Sequence, residues 1–522
     1  MPDTICLVDG TETNLEDALA SEKNIVVRHR QWEEMMQLYI GAYEKREALE
    51  RLVAFHIGVS AARVKTDHPS AWRRGGFNLA IPMLVFDGAG EAEVNRVMLR
   101  LPIPIKCGEV QHPGSVREKL RCETASYVWM QRHCPGVRIP HLYGFGFPHG
   151  AHFSFAGRLS MIRRAVLYVR QLVASWLYRP VPSSYLSVTA PDMPLETGYM
   201  VIEHFGEATF GKQLPLVAHG QRLLDQPAKM RNLFRGVSRI ILDLARVPQP
   251  RIGAFCFNDD GTISLDGRPT SSDMAILESE GAPRAIPVDK TYTNTDQYVS
   301  DLSTLFEAQF LAAPNAALNT VDCEAQMSIM VFLRAVAHHF IEPNRRNGPF
   351  FLYMSDANAA NFMVDDEWNV TGMFDLEWIF AAPADVFFTP TWLTWSSIDH
   401  ISRPGYDEYS TTREAFMKIF KEEEQRMDTS ELEAALGGST FSAVMEASWS
   451  SGRAWFYQSL MTVDAMLHIT EGRIQPLFVP DELPYSYFCK LWHQNSKDIV
   501  AQKLRDREEH KAAIARLFQD TG

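Results

Sequence analysis

Residues 349–383 read PFFLYMSDANAANFMVDDEWNVTGMFDLEWIFAAP. Phe350–Tyr353 is a short apolar run that predicts a buried strand. A loop of small and polar residues follows and carries Asp356 and Asn361. Phe362–Val364 and Val370–Phe374 are strand-like on either side of a turn, Asp365-Asp366-Glu367-Trp368-Asn369. A hairpin centred near Trp368 sets Asn361 opposite Asp375 at its open end. An amide oxygen and a carboxylate on neighbouring strands are hard-oxygen ligands of the kind that hold Mg²⁺ together with substrate phosphates. Asp356, just upstream, is within reach as a base.

Upstream of this stretch, Gly75-Gly76-Phe77-Asn78 opens the apolar run LAIPMLVF, and Asp87-Gly88 closes it. Val94–Leu101 reads as the partner strand of a hairpin. Residues 115–132 have helical period, with Pro135-Gly136 as a stop. Short strands at Leu142–Phe145 and Tyr199–His204 flank a long insertion. Beyond Gly206 the pattern is mainly helical, including 227–246, 322–341 and most of 410–520. Strands first and helices second indicate an α+β chain with two lobes and a cleft between them.

In that order, these pieces resemble the aminoglycoside phosphotransferase / choline kinase-like superfamily, especially its fungal members of unknown substrate. Its pattern H-x-D-x-x-x-x-N, hairpin, I-D-x-E is similar to Met354-Ser355-Asp356, Asn361 and Phe374-Asp375-Leu376-Glu377 here. The resemblance runs from about residue 70 to about 400. It implies a protein kinase-like bilobal fold with a β-rich N-terminal lobe and a mainly helical C-terminal lobe. The corresponding divisions are a helical segment 1–70, an N-lobe 71–205 with an insertion at about 147–197, and a C-lobe 206–522. It also implies ATP and Mg²⁺ as cofactors. Asp356 would be the catalytic base, and Asn361 and Asp375 the metal ligands. Gly75 and Gly76 would cover the nucleotide phosphates. Arg100, in VMLRLP, would pair with those phosphates, and Glu123, in KLRCETASYVWM, would fix Arg100. Backbone groups of Ile202 and His204 would hold the adenine. The chain departs from the pattern at Met354 and Asn358, where the family has histidines. Glu377 is open to two readings, a contact to metal or a basic substrate, or a structural hydrogen bond.

Composition bounds the possibilities further. The 522 residues carry a formal charge of −13. That balance repels phosphates, which disfavours non-specific contact with nucleic acid or anionic lipid but leaves room for a small phosphate ligand in a pocket. The seven cysteines form no CxxC pair and no metal-type cluster, so reduced thiols and a cytoplasmic protein are expected. The N-terminus, MPDTICLVDGTETNLED, lacks the basic and apolar regions of a secretory signal. Residues 160–178 are apolar but contain Arg163, Arg164 and Arg170, so no transmembrane segment is expected. They read as an amphipathic helix, packed on the protein itself or laid on a membrane surface.

His56 and the pair His338-His339 have no partners at ligand spacing and read as core or surface histidines. Trp392, Trp395, Trp449, Trp455 and Tyr457 read as core or as the wall of an acceptor pocket. The leading expectation is an ATP- and Mg-dependent phosphotransferase acting on a hydroxyl or amine of a small molecule. The alternatives are a kinase-fold enzyme repurposed for cyclisation, condensation or nucleotidyl transfer, and a pseudokinase scaffold.

Overall fold

In the strand Asn78–Phe86 six of nine residues are buried and the rest half-buried, with buried side chains on both faces. Such a strand needs a layer on each side, and the computed structural model, which describes residues 4–88, 92–462, 465–479 and 484–520, supplies both. The strands of the main sheet are β1 (Val64–Thr66), β2 (Arg73–Arg74), β3 (Asn78–Phe86), β4 (Glu93–Pro102), β5 (Leu142–Gly146), β6 (His152–Phe155), β7 (Tyr185–Val188) and β8 (Tyr199–Glu203). They run antiparallel in the spatial order β1-β3-β4-β8-β5-β6-β7, with β2 added at the start of β3. The β3–β4 hairpin agrees with the sequence reading, although residues 89–91, in the turn begun by Asp87-Gly88, lie outside the described residues.

Side chains alternate across a strand, and here the alternation separates two cores. Val97, Leu99 and Leu101 of β4 and Val201 of β8 pack on the helices α1 (Ile25–Glu44) and α2 (Arg46–Ile57). Met98 and Met200 face the other way, toward helix α3 (Ser115–His133) and the helical part of the chain. Arg100 shares the parity of Met98, so the alternation that buries Leu99 and Leu101 turns a guanidinium toward α3.

The remaining chain is mainly helical. An outlying helix, α4 (Met161–Trp176), interrupts the sheet between β6 and β7. Helix α5 (Pro227–Ala245) buries Leu233, Phe234, Val237, Ile241 and Leu244, while Arg235 and Arg239 on its other face pair with the buried Glu423. A short hairpin, β9 (Ala254–Phe257) with β10 (Ile263–Gly267), packs on α3. Helix α6 (Thr320–Phe340) follows. The C-terminal helix Ser496–Asp520 returns to the N-terminus, where Ile514 and Phe518 share a small core with Ile5, Leu7 and Ile25.

The stretch 349–383 folds as β11 (Phe350–Met354), β12 (Phe362–Val364), β13 (Val370–Met373) and β14 (Ile379–Pro383). Strand β14 returns to pair with β11, and Met354 stands opposite Ile379. The loop after Met354 and the turn before Ile379 therefore leave the same end of one strand pair. The β12–β13 register is one residue away from the expectation. Phe362 pairs with Met373, and the Phe374 amide donates to the Asn361 carbonyl at 3.1 Å, so Asn361 faces Phe374 and not Asp375. The cause is the turn, which is centred one residue earlier than Trp368, with Val364 opposite Val370 and Trp368 left-handed at φ 59°; a bulge between Met363 and Val364 recovers only one of the two positions this costs.

His56 is a core residue. Its Nδ1 lies 2.7 Å from Ser154 Oγ and its Nε2 2.7 Å from Tyr199 Oη. A neutral ring offers one donor and one acceptor to those hydroxyls, and burial pushes its pKa down to about 3. A Cβ on Gly144 would lie 2.1 Å from His56 Nδ1. Gly144→Ala should therefore cost about 1–3 kcal/mol by overpacking, read as a lower urea midpoint. An unchanged midpoint would contradict this packing.

Candidate functional site

The site assembles where α3, the start of β3, the end of β4 and the open end of the β11–β14 pair meet. Arg100 comes from β4. Its Nη1 donates to Glu123 Oε1 of α3 at 2.6 Å and its Nη2 to Asp375 Oδ1 at 2.6 Å. The expected pair of Arg100 with Glu123 is thus present, and the same guanidinium also reaches Asp375. Burial opposes the charge of Arg100, but Glu123 and Asp375 outweigh it and its pKa is raised.

A second cation lies beside it. Lys119 is one turn before Glu123 on α3 and donates to Glu123 Oε2 at 2.9 Å and to Asn78 Oδ1 at 3.0 Å. It also contacts Glu377. Asn78 donates to Glu377 Oε2 at 2.9 Å, which ties the first residue of β3 to the segment after β13. Glu377 is thereby held as a buried partner of Asn78 and Lys119, and its carboxylate lies with those of Glu123 and Asp375 within 4.8 Å of one another, a spacing that could also hold a metal ion. Burial and the charge of Asp375 push its pKa up, against the pull of Lys119. Glu123, held by two cations, has its pKa lowered in spite of burial.

Sequence reading missed Lys119 and the role of Asn78. Lys119 and Glu123 have the i, i+4 spacing of an ordinary exposed helix pair. The available signal was position, because both lie on the stripe of Val116, Leu120 and Tyr127, which the helix buries.

Asp375 reaches the site by a backbone route. It leaves β13 with φ 66°, and Trp378 follows at φ 61°. Aspartate tolerates the left-handed region, whereas a bulky residue there is an outlier that its surroundings must hold in place. Trp378 is held by its carbonyl, which accepts from Ser355 N at 3.2 Å and Ser355 Oγ at 2.9 Å, and by edge contact with Phe77 at 4.8 Å.

Asp356 is half-buried in the adjoining loop. Its carbonyl accepts from Asn361 Nδ2 at 3.0 Å and Asn358 Nδ2 at 3.3 Å. Asn358 also caps the next turn through the Ala360 amide at 2.9 Å. Two amides thus brace the loop, and Met354 lies at the end of β11. Burial pushes the Asp356 carboxyl up to about 8, helped by the charges of Glu377, Asp375 and Asp273 and opposed by a bond from Ser272. Asp356, Asn361, Asp375 and Glu377 line one cavity of about 10 Å³, so the residues picked from the sequence do converge. The convergence comes from the turn at Asp375 and not from strand register.

The other expected residues are less engaged. Gly75 and Gly76 are exposed in the β2–β3 turn, where a Cβ would fit at either position, and neither has a positive φ. Ile202 is buried in β8 between Met98 and Leu142. His204 follows the strand half-buried, and burial and Arg96 lower its pKa. Next to it, Phe205 stacks on Phe374 at 4.2 Å, which links the end of β8 to the Asp375 segment.

Of the aromatic set, Trp455 and Tyr457 are core. Trp392 lines a cavity of about 140 Å³ with Tyr353, Met354, Ser355, Phe362 and Phe387, against the Asp356 loop. His338 and His339 are neighbours at the end of α6, with rings 4.0 Å apart. No protein-family model matches the chain, and no curated protein matches it.

Lys119→Met should destabilise the protein by about 3–5 kcal/mol, because it leaves buried carboxylates uncompensated; denaturant unfolding measures it, and a loss below about 1 kcal/mol would contradict the network. Asp356 gives a pH test. Its folded pKa of about 8 exceeds the ordinary 3.8, so the unfolded chain releases a proton that the folded protein keeps. Stability tied to this carboxyl therefore falls as pH rises through that window. Asp356→Asn removes the effect, so its gain in Tm over the wild type should grow from about pH 5 to about pH 8. A gain independent of pH would contradict the raised pKa.

Proposed function

We propose that the chain is a Mg²⁺- and ATP-dependent phosphotransferase of protein kinase-like bilobal fold, acting on a hydroxyl or amine of a small molecule. The observation that carries this reading is the Arg100 guanidinium, which joins Glu123 of the helix to Asp375 of the segment after the hairpin. In protein kinases phosphoryl transfer uses a strand cation fixed by a helix carboxylate, facing an acid that holds metal. The strand order, with the cation on β4 and the proposed adenine contacts Ile202 and His204 at the end of the adjacent β8, agrees with it. So does the single cavity shared by Asp356, Asn361 and Asp375.

The donor set fits Mg²⁺. Glu123 and Glu377 are taken by Arg100 and Lys119, and Asp375 gives Oδ1 to Arg100, which leaves the other Asp375 oxygen and the Asn361 oxygen as hard ligands. When bound, the metal would supply charge neutralisation on the nucleotide phosphates. Arg100, kept charged and aimed by Glu123, would turn from Asp375 to those phosphates, with the two-pronged geometry that distinguishes arginine from lysine. Gly75 and Gly76 would leave the β2–β3 turn open to close approach. Asp356 would orient the acceptor and, once ionised above its raised pKa of about 8, take its proton, a contribution of roughly 10²–10⁴-fold. The cavity beside Trp392 would take an apolar part of the acceptor.

One observation favours a second reading, a scaffold that has lost turnover. Arg100 and Lys119 already neutralise most of the buried acid, and the cavity at Asp356 is small.

Thermal shift separates the two. Mg-ATP at about 100 times its Kd should stabilise the protein by roughly 2.7 kcal/mol, and Asp375→Asn should remove most of the metal-dependent part. Asp356→Asn should keep the shift and lower kcat by roughly 10²–10⁴. No shift with any nucleotide, with or without metal, would overturn the phosphotransferase reading.

A further inference from the structure

Helix α4 stands out for what it does not bury. It packs on the body through Leu167, with Gln171 and Ala174 half-buried beside it, and Gln171 donates to the Pro182 carbonyl at 3.1 Å. At about 100° per residue these three share one side. The opposite side carries Met161, Ile162, Val169, Leu172, Val173 and Trp176, all exposed, with Met161 at 82%, Ile162 at 77% and Trp176 at 80%. Tyr178, directly after the helix, is 98% exposed. The packing side that the sequence pattern allowed is thus the narrow one, and the broad apolar side has no cover in this chain.

Charge says what would cover it. No Asp or Glu occurs between Glu123 and Asp192, in a chain whose overall charge is −13. Arg163 and Arg170 lie along one edge of the apolar side and Arg164 along the other, with Arg158 and Arg179 at the two ends. Arg170 has Asp260 nearby, whereas Arg163, Arg164 and Arg179 make no ion pair among the described residues. An apolar face with arginine at both edges and aromatic rings at one end is complementary to an anionic bilayer surface. The helix is about 24 Å long, too short to cross a bilayer, and no helix among the described residues is long and apolar enough to do so.

We infer that α4 is a membrane-surface anchor that lays its apolar face into the headgroup region of an anionic bilayer. A second copy of the chain is a poorer cover, because a two-fold contact through this face would bring the arginine edges of both copies together.

The test is flotation of the full chain with phosphatidylcholine vesicles, with and without about one third phosphatidylserine. The protein should float with the anionic vesicles, less so as salt rises, and remain free of the neutral ones. Arg163→Gln and Arg164→Gln should each lower partition about fivefold. The double variant Val169→Glu/Leu172→Glu should abolish it, with circular dichroism unchanged because both positions are exposed. Failure to float with anionic vesicles would overturn the inference. So would binding indifferent to these variants, or a concentration-dependent dimer in light scattering that Leu172→Glu dissociates.

Discussion

A guanidinium buried between two carboxylates constrains the rest of this structure. Taking Arg100 and Lys119 out of water is costly, and each is tolerated only because Glu123, Asp375, Glu377 and Asn78 surround them. Those partners come from β3, α3 and the segment after β13. The sheet, α3 and the segment after β13 are therefore held together by charge as well as by packing. Removing one carboxylate leaves a buried cation with a partner too few.

The same network explains the electrostatics at Asp356. Arg100 and Lys119 face Glu123, Asp375 and Glu377, so negative charge is left in excess next to the Asp356 loop. Burial first, and that charge second, push the Asp356 carboxyl up to about 8. The left-handed Asp375 and Trp378 belong to the same arrangement. Their conformations are held by Ser355, Phe77 and Arg100, and they place the Asp375 carboxylate where strand continuation would not.

Much of this was legible in the chain. The order of strands and helices followed from periodicity and turn residues, and period-two alternation at Val97–Leu101 is what sends Arg100 to the helix side. Asp356, Asn361 and Asp375 were picked from a short loop-and-hairpin pattern, and they do share a cavity. The register was not legible, because it depends on a bulge and on a turn in which Trp368 adopts a conformation that tryptophan rarely takes. Lys119 was not legible either, since i, i+4 spacing does not reveal whether a pair faces solvent or a core. The exposed side of α4 was readable as amphipathic, but the sequence could not say which side the body would occupy.

The most direct test of the account is a crystal structure with Mg²⁺ and a non-hydrolysable ATP analogue. The account predicts that the 2.6 Å contact of Arg100 with Glu123 persists while the 2.6 Å contact of Arg100 with Asp375 opens, with metal on Asp375 and Asn361. A structure in which nucleotide is absent or bound elsewhere, with Arg100 still seated on Asp375, would contradict it.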